Sequence, residues 1–283
     1  MTTPIDLLCP AKLNLALRVT GKREDGYHDL ETVFQRVTLF DRLRVSRKDS
    51  PGVELSCPDS GLPVDGNNIV LKAAEAFFKN MPEPGGVRLT LWKKIPVAAG
   101  MGGGSSDAAT TLAGLNRLFG RPYSLERLME IGSSVGADVP FFLLGVSSAY
   151  GEGIGDRLTV IRLPLMWFVL VHPPLEVSTA WVYRKFDLSL TKTARKVKKK
   201  NSDRGSFSLD ELFFNDLQKV TFTAHPELQT IRETLVSLGA LKALMSGSGP
   251  TIFGVFPDIR AALSAQRTIT AGHGWKSSVV RSF

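Results

Sequence analysis

Hydrophobic and polar residues alternate at the start of the chain. The apolar positions of this pattern are Ile5, Leu7, Cys9, Ala11, Leu13, Leu15, Leu17 and Val19. A period of two predicts a β-strand with one face in the core, either continuous or broken at Pro10. Lys12 and Asn14 then share the opposite, polar face. A second strand is predicted from Val33 to Val45, with a break at Asp41.

The rest of the chain alternates between helical and strand-like patterns. Apolar spacing predicts helices after Asn68, after Ser105 or Ser106 as the cap, after Ser124, and over 179–186, 228–238 and 259–269. Alternation or short apolar runs predict strands over 87–95, near Ala149, and over 158–163, 166–171, 240–245, 252–256 and 275–280. This order predicts a mixed α and β class, and 283 residues suggest about two domains.

The stretch from Pro96 to Asp107 interrupts this alternation and reads Pro-Val-Ala-Ala-Gly-Met-Gly-Gly-Gly-Ser-Ser-Asp. Glycines let backbone N–H groups approach an anion closely, and a helix N-terminus adds unpaired donors and partial positive charge. The segment lacks the Lys-Ser/Thr pair of a Walker loop and the spacing of a dinucleotide-binding loop. It therefore predicts a phosphate-binding loop, with a flexible glycine turn as the plainer alternative.

Three charged residues are candidates for proton transfer or charge compensation. Asp138 lies between apolar segments in Gly-Ala-Asp-Val-Pro, so we expect partial burial, although a turn or helix-cap role is the alternative. Lys12 lies on the polar face of the first strand, where a solvated outer face is the alternative. Asp107 competes for the role of base, but the positive helix end is expected to keep it ionised and weakly basic. Asp138 is therefore the preferred base.

Two further segments carry candidate binding residues. Tyr27 and His28 are adjacent in Gly-Tyr-His-Asp-Leu, where they could stack on and hydrogen-bond a nucleobase. The alternative is a loop tyrosine beside an exposed histidine. The segment Met245–Thr251 is a turn of small residues that allows a backbone or a ligand to come close. On its own that turn has low specificity.

Charge and composition narrow the class of protein. Hydrophobic residues make up 43% and charged residues 22%, which is ordinary for a globular protein. Of the net charge of +8, six charges come from residues 192–204, so the whole chain is not interpreted as a nucleic-acid binder. Cys9 and Cys57 form no metal or disulfide pattern and are predicted to be small buried hydrophobes. No leader and no apolar run of about 20 residues is visible, so we expect a cytosolic protein.

Several of these segments occur together in one order: Pro10-Ala-Lys-Leu-Asn-Leu, the glycine-serine loop, Gly136-Ala-Asp-Val-Pro, and the late Ser-Gly-Ser-Gly-Pro-Thr. This set resembles the GHMP kinase superfamily, from Pro10 to about Val280. The resemblance implies an α+β, two-lobed GHMP kinase fold around a central cleft. A ribosomal-S5-domain-2-like lobe is expected over 1–160 and a ferredoxin-like α/β lobe over 161–283.

The resemblance also implies roles for individual residues. The catalytic pair would be Lys12 and Asp138. ATP, accompanied by Mg²⁺, would contact Asn67, Ile69, Lys93, Pro96, Gly100, Gly102, Gly103, Gly104, Ser105 and Ser106. The substrate would contact Asn14, Tyr27, His28 and, assigned by placement, Tyr183. The metal ligands stay open.

The segment Gly21-Lys-Arg-Glu-Asp-Gly-Tyr-His-Asp-Leu30 is most similar to the branch of this superfamily that phosphorylates a cytidine-diphosphate-linked methylerythritol. That resemblance implies ATP-dependent phosphorylation of its 2-hydroxyl, a step of the non-mevalonate route to isoprenoid precursors. One alternative is another kinase of the superfamily, acting on mevalonate, homoserine or a sugar, which would not need Tyr27 and His28. A basic RNA-binding protein is the other, and the lack of aromatic residues in 192–204 argues against it. That run departs from the family pattern, and the oligomeric state stays open between monomer and homodimer.

Overall fold

Two long strands begin the chain, and neither breaks where the sequence suggested. In a computed structural model, β1 spans Ile5–Lys22 and β2 spans His28–Lys48. Pro10 stays within β1 because the fixed φ of proline is compatible with extended backbone. Asp41 stays within β2 because its fully buried carboxylate accepts hydrogen bonds from the backbone of residues 94 and 95. The structure describes residues 3–58, 60–79, 81, 85–186 and 212–283.

The chain divides into two compact units. The first unit comprises 1–11, 39–97 and 102–146, and the second comprises 12–38, 98–101 and 147–283. Each unit is built from several separate segments of the chain. The domain boundary predicted between residues 160 and 161 therefore stays a prediction. The basic run 192–204 lies outside the described residues.

The first unit places helices against short paired strands. Its remaining elements are β3 (Gly52–Ser56), α1 (Ile69–Phe78), β4 (Gly86–Trp92), α2 (Gly103–Leu118), α3 (Leu125–Val135) and α4 (Val139–Leu143). Strand β4 pairs antiparallel with β2, from Arg42 opposite Trp92 to Lys48 opposite Gly86, and parallel with β3. Helix α2 packs against α1 and α4, so the glycine-serine segment opens a helix that its neighbours hold in place.

The second unit contains two groups of strands. Its elements are β5 (Ser148–Gly153), β6 (Arg157–Val160), β7 (Trp167–His172), α5 (Thr179–Lys185), β8 (Phe214–Asn215), α6 (Gln218–Ala224), α7 (Glu227–Ser237), β9 (Lys242–Met245), β10 (Ile252–Phe256), α8 (Ile259–His273) and β11 (Lys276–Arg281). Strand β2 pairs with β5, β5 with β6, and β1 with β8. A separate antiparallel sheet has the order β11-β7-β10-β9. Apolar residues of this sheet and of α5, α7 and α8 form the core of the unit.

The helix starts follow side-chain chemistry in some places and glycine geometry in another. Asn68 caps α1 and Ser124 caps α3, at the helix starts that the sequence predicted, and each accepts a hydrogen bond from the first turn. The predicted cap of α2 was wrong, because the helix begins at Gly103 and its cap is Gly102. Gly102 has φ of 65°, a left-handed conformation that glycine adopts without strain. The two serines therefore lie inside the first turns.

Within the residues that the structure describes, no helix is both long and apolar enough to cross a membrane.

Candidate active site

The N-terminus of α2 is the feature of the first unit that we predicted to bind phosphate. The first intrahelical hydrogen bond runs from Ser106 N to Gly102 O, so the N–H groups before it have no helical acceptor. Gly104 is exposed, and Gly102 and Ser105 are half-buried. The start of α2 therefore combines free backbone donors, partial positive charge and little side-chain bulk, which together suit the phosphates of a nucleotide.

Close packing explains the glycine at position 103. A Cβ at Gly103 would lie 2.9 Å from Ile95 Cγ2 and 3.4 Å from Lys93 Nζ. A Cβ at Gly104 would meet Ile69 Cγ2 at 3.5 Å. The start of α2 thus lies directly against Lys93, Ile95 and Ile69, three residues of the same unit.

Lys93 occupies a buried ion cluster. Its ammonium donates to Asp41 Oδ2 and, at 2.6 Å, to Asp107 Oδ2. The Lys93 side chain is 9% exposed, Asp41 is fully buried and Asp107 is 2% exposed. Burial lowers the pKa of Lys93, but the adjacent charges of Asp107 and Asp41 outweigh it, and the pKa is raised overall. Lys93 therefore stays a cation whose donors are directed at two carboxylates.

Asp107 behaves differently from the sequence-based expectation. Burial is the largest influence and raises its pKa to about 7, against the opposing effect of Lys93. The expectation of a weakly basic, ionised carboxylate was wrong because Asp107 is the fifth residue of α2, beyond the first turn in which the helix dipole acts, and because it is almost fully enclosed.

The other residues expected to contact ATP lie near the start of α1 and in the loop after β4. Asn67 is exposed and its backbone N–H donates to Asp65 Oδ1, whereas Asn68 is buried and caps the helix. Ile69 is half-buried and lies beside the start of α2, and Pro96 is half-buried in the loop after β4. The first unit thus brings Ile69 and the glycine-serine segment together, whereas the hydrogen bond described for Asn67 lies within its own turn.

Asp138 opens the short helix α4. It is half-buried in the cap position, and its side chain makes no capping hydrogen bond, which removes the support for the capping alternative. The two residues that follow, Val139 and Pro140, are buried. A Cβ at Gly136 would lie 3.7 Å from Ser105 Oγ, so the segment carrying Asp138 runs beside the first turn of α2. A carboxylate therefore stands near the proposed phosphate-binding helix end.

Lys12 and Asn14 form a buried polar chain in the second unit. Lys12 is 5% exposed and Asn14 is 3% exposed, so the alternative of a solvated strand face was wrong. Lys12 Nζ donates to Asn14 Oδ1 at 2.6 Å, and Asn14 Nδ2 donates to Thr32 Oγ1 at 2.8 Å. Thr32 donates in turn to Ala16 O. Lys12 Nζ also lies 5.2 Å from the ring centre of Phe34. Thr32 had no signal in the sequence beyond its place on β2.

Ser246 connects this chain to the glycine loop. Its hydroxyl accepts from Asn14 N at 3.2 Å and donates to Gly100 O at 2.9 Å. A Cβ at Gly100 would lie 2.1 Å from Ser246 O, and Gly100 has φ of 73°. The late Ser-Gly-Ser-Gly turn, of low specificity as a sequence signal, thus fixes the backbone of Gly100 beside Asn14.

An aromatic pair lies at the start of β2. The rings of His28 and Tyr183 are 5.3 Å apart between centroids and tilted by 32°, and Phe186 meets His28 edge-on at 6.5 Å. His28 is 7% exposed, so the exposed-histidine alternative was wrong, whereas Tyr27 is 59% exposed. Burial, followed by the charge of Lys22, lowers the pKa of His28, so the ring is neutral near pH 7. Phe186 was not among the predicted residues.

Sequence comparison assigns the chain to a family. A model described as "GHMP kinases N terminal domain" matches residues 68–146, and one described as "GHMP kinases C terminal" matches 199–272. A protein of Citrifermentans bemidjiense named 4-diphosphocytidyl-2-C-methyl-D-erythritol kinase is 45% identical over 98% of this chain and 99% of its own length. The chain belongs to the 4-diphosphocytidyl-2-C-methyl-D-erythritol kinase family of GHMP kinases. A protein of the same name from Geobacter sulfurreducens is 43% identical over the same shares of both chains.

Solved structures agree with this family. A crystal structure of 4-(cytidine 5'-diphospho)-2C-methyl-D-erythritol kinase superposes with a TM-score of 0.81 at 34% identity, covering 99% of this chain and 100% of that one. Homoserine kinase from Cytophaga hutchinsonii has a TM-score of 0.74 at 18% identity, covering 100% of this chain and 95% of that one. At that identity the likeness concerns the fold alone. The predicted GHMP fold class and the predicted ATP-dependent small-molecule kinase are both confirmed at the level of this family.

Proposed function

We propose that this GHMP kinase transfers the γ-phosphoryl group of ATP to the 2-hydroxyl of 4-(cytidine 5'-diphospho)-2-C-methyl-D-erythritol, a step of the non-mevalonate isoprenoid route. The observation that carries the proposal is the ring contact between Tyr183 and a buried, neutral His28, whose centroids lie 5.3 Å apart at a tilt of 32°. A flat base can stack on these rings and exchange hydrogen bonds with the imidazole. Mevalonate and homoserine have no ring that would use this pair.

The glycine loop supplies the ATP site of the proposal. The free N–H groups at the start of α2 would hold the phosphates, and the left-handed Gly102 turns the chain into this helix without adding a side chain there. No group of three His, Cys, Asp or Glu residues within the described part of the chain is arranged to hold a metal ion. Mg²⁺ fits this donor set as an ion bound chiefly through phosphate oxygens and water, where it would neutralise charge on the phosphates.

Asp138 and Lys12 carry the chemistry of the proposal. Asp138 would accept the proton of the substrate hydroxyl as the oxygen attacks phosphorus. Lys12 would offset negative charge on the transferring group, and its bond to Asn14 fixes the direction of its ammonium. Asn14, held between Lys12 and Thr32, would orient the substrate.

The partners follow from the same proposal. ATP and the cytidine-linked substrate are the small-molecule partners, and no nucleic acid is required. The two cysteines are free thiols, which is compatible with the reducing cytoplasm where we place the reaction. A second candidate function, phosphorylation of homoserine or mevalonate, shares only the fold with this chain.

A substrate panel tests the proposal. The full chain is incubated with ATP, Mg²⁺ and the cytidine-linked methylerythritol, mevalonate or homoserine, and ADP release is measured beside phosphorus NMR of the product. We expect turnover with the cytidine-linked compound alone. His28→Ala should raise its KM at least tenfold, while His273→Ala, which changes an exposed histidine, should not. Faster turnover of mevalonate or homoserine would overturn the proposal.

A further inference from the structure

The ion cluster of Lys93, Asp41 and Asp107 joins three separate parts of the first unit. Asp41 comes from the middle of β2, Lys93 follows the end of β4, and Asp107 lies in the second turn of α2. Each of these side chains is at least nine-tenths buried. Burying charges costs desolvation free energy, so a buried ion cluster stabilises a protein only if its geometry is good. Such a cluster can also serve another purpose, which is to specify one arrangement of the elements that it joins.

The contacts of the cluster converge on the start of α2. Asp41 Oδ1 accepts from Lys94 N at 2.5 Å and Ile95 N at 2.8 Å, which fixes the chain leaving β4. Lys93 Nζ then extends from that chain to Asp107 Oδ2 at 2.6 Å. Gly103, the first residue of α2, packs against Ile95 and Lys93 so closely that even a methyl group would meet Ile95 at 2.9 Å. The first turn of α2 is therefore held on one side by the residues that the cluster orders.

We infer that Lys93 is a positioning residue, which sets the direction of the phosphate-binding end of α2 through Asp107 and Asp41, and that its ammonium does not bind the base of ATP. The inference rests on the proposed function, because it takes the start of α2 as the phosphate site. A helix end displaced by about 1 Å can cost on the order of 100-fold in rate.

Charge in the cluster also affects anion binding. Cys9 of β1, Asp41 of β2 and Lys93 after the end of β4 are groups that interact with Asp107. The charge of the same carboxylate also raises the pKa of Cys57. With both carboxylates ionised the cluster has one net negative charge, and with Asp107 protonated it is neutral. Burial raises the pKa of Asp107 to about 7. Since an anion binds better next to a neutral cluster, the affinity for ATP should fall as the pH rises through this pKa.

The test uses Lys93→Met and Asp107→Asn in the full chain, with Lys94→Met as the matched control, since Lys94 is exposed and adjacent. ATP and GTP binding are measured by calorimetry from pH 6 to 9, with kcat and KM for both substrates. We expect Lys93→Met to lower kcat/KM for ATP and GTP by the same factor of at least ten and to leave KM for the cytidine-linked substrate within twofold. Asp107→Asn, which imitates the protonated carboxyl, should remove the fall in ATP affinity above pH 7. Lys94→Met should match the wild type.

Several outcomes would overturn the inference. Selective loss of ATP relative to GTP in Lys93→Met would mean that Lys93 reads the base. A folded Asp107→Asn variant with unchanged nucleotide affinity, kcat and pH profile would show that the cluster has only a structural role. If Lys93→Met does not fold, the Asp107→Asn variant tests the inference alone, because Lys93 in that variant still has Asp41 as its partner. Failure of the proposed function is separate, because the wild type and Lys94→Met would then be inactive on the cytidine-linked substrate as well.

Discussion

Asp138 is a half-buried carboxylate in the cap position of α4, where its side chain makes no capping hydrogen bond. Replacement by Asn keeps the shape and removes the basic oxygen. We predict that Asp138→Asn lowers kcat by about 10²–10⁴. ATP affinity should stay within a few-fold, because the proposed phosphate contacts are backbone groups of α2. Steady-state kinetics and calorimetry measure the two quantities, and unchanged kcat would remove Asp138 from the mechanism.

His172 is a buried histidine at the end of β7, where its Nδ1 lies 3.0 Å from Thr251 Oγ1. Burial, followed by the charge of Lys276, lowers its pKa from 6.5 to about 4. The folded state therefore binds fewer protons than the unfolded state between these values, and the free energy of unfolding falls as pH drops from 6.5 towards 4. We predict that His172→Asn reduces this acid loss by about 2 kcal/mol at pH 5. Denaturant unfolding at pH 5 and pH 7.5 measures it.

The control for that prediction is His273→Asn, which changes an exposed histidine and should leave the acid loss as in the wild type. Asp107 acts in the opposite direction, because its raised pKa makes the folded state bind more protons between 4 and 7, and stability then falls as pH rises. Both variants retain Asp107, so the difference between them isolates His172. An equal acid loss in both variants would contradict the prediction.

For single residues, the sequence predicted which side chains are important more reliably than it predicted the surroundings of those side chains. Lys12, Asn14 and His28 could be selected from motifs, but their burial depends on strands far apart in the sequence. Thr32 escaped selection, and Ser246 was indicated only as part of a turn of low specificity, for the same reason: a lone hydroxyl has no local pattern, and its role comes from contacts with Asn14 and Gly100. The ionisation of Asp107 was mispredicted because enclosure, which raises its pKa, cannot be read from neighbouring residues.

Among the elements, the loop before α2 is sensitive to an added methyl group. Gly100 has a left-handed φ of 73°, and its Cβ position lies 2.1 Å from the carbonyl oxygen of Ser246, which cannot move without shifting the late Ser-Gly turn. We predict that Gly100→Ala lowers kcat/KM for ATP at least tenfold and reduces stability by more than about 1 kcal/mol. Kinetics and denaturant unfolding measure both.

The matched control is Gly272→Ala near the end of α8, where nothing lies within 4 Å of the Cβ position and φ is not in the left-handed region. Alanine favours the helix there, so stability should rise by about 0.5–1 kcal/mol with unchanged kinetics. Wild-type kinetics in Gly100→Ala would show that the close approach is not needed for activity.

Most elements were predictable because their periodicity is local. Strands and helices such as β10 and α3 lie within a few residues of their predicted positions. The errors fall where distant contacts outweigh a local signal. Asp41 looked like a strand break but is stabilised within β2 by donors 53 and 54 residues away. The start of α2 was placed at serines because serine is a good cap, whereas a left-handed glycine turns the chain.

For the whole molecule, the net charge of +8 can be counted directly from the sequence. Residues 192–204 hold seven basic residues and one acidic residue, which accounts for six of the net charge of +8. Both proposed substrates are polyanions, so this run should speed their association at low ionic strength. We predict that changing Lys196, Lys198, Lys199 and Lys200 to Gln lowers kcat/KM several-fold at low salt, with kcat unchanged.

The measurement is kcat/KM between about 20 and 300 mM salt, where screening should bring the variant and the wild type together. Changing Arg42, Arg44, Arg88 and Arg127 to Gln removes the same number of charges from exposed, paired arginines and serves as a control for net charge. If the two sets of changes have equal effects, position in the chain is irrelevant. If neither has an effect, the lysine run only solvates the surface.

The glycine at the cap of α2 has a consequence for anyone who wishes to make this enzyme more heat-resistant. Asn68, Ser124, Ser178 and Asp258 cap α1, α3, α5 and α8 with their side chains, whereas Gly102 offers none. A designer who follows helix rules would add a side-chain cap to α2, and any successful cap there would compete with the proposed nucleotide for the same amides. This helix start should therefore keep its glycine.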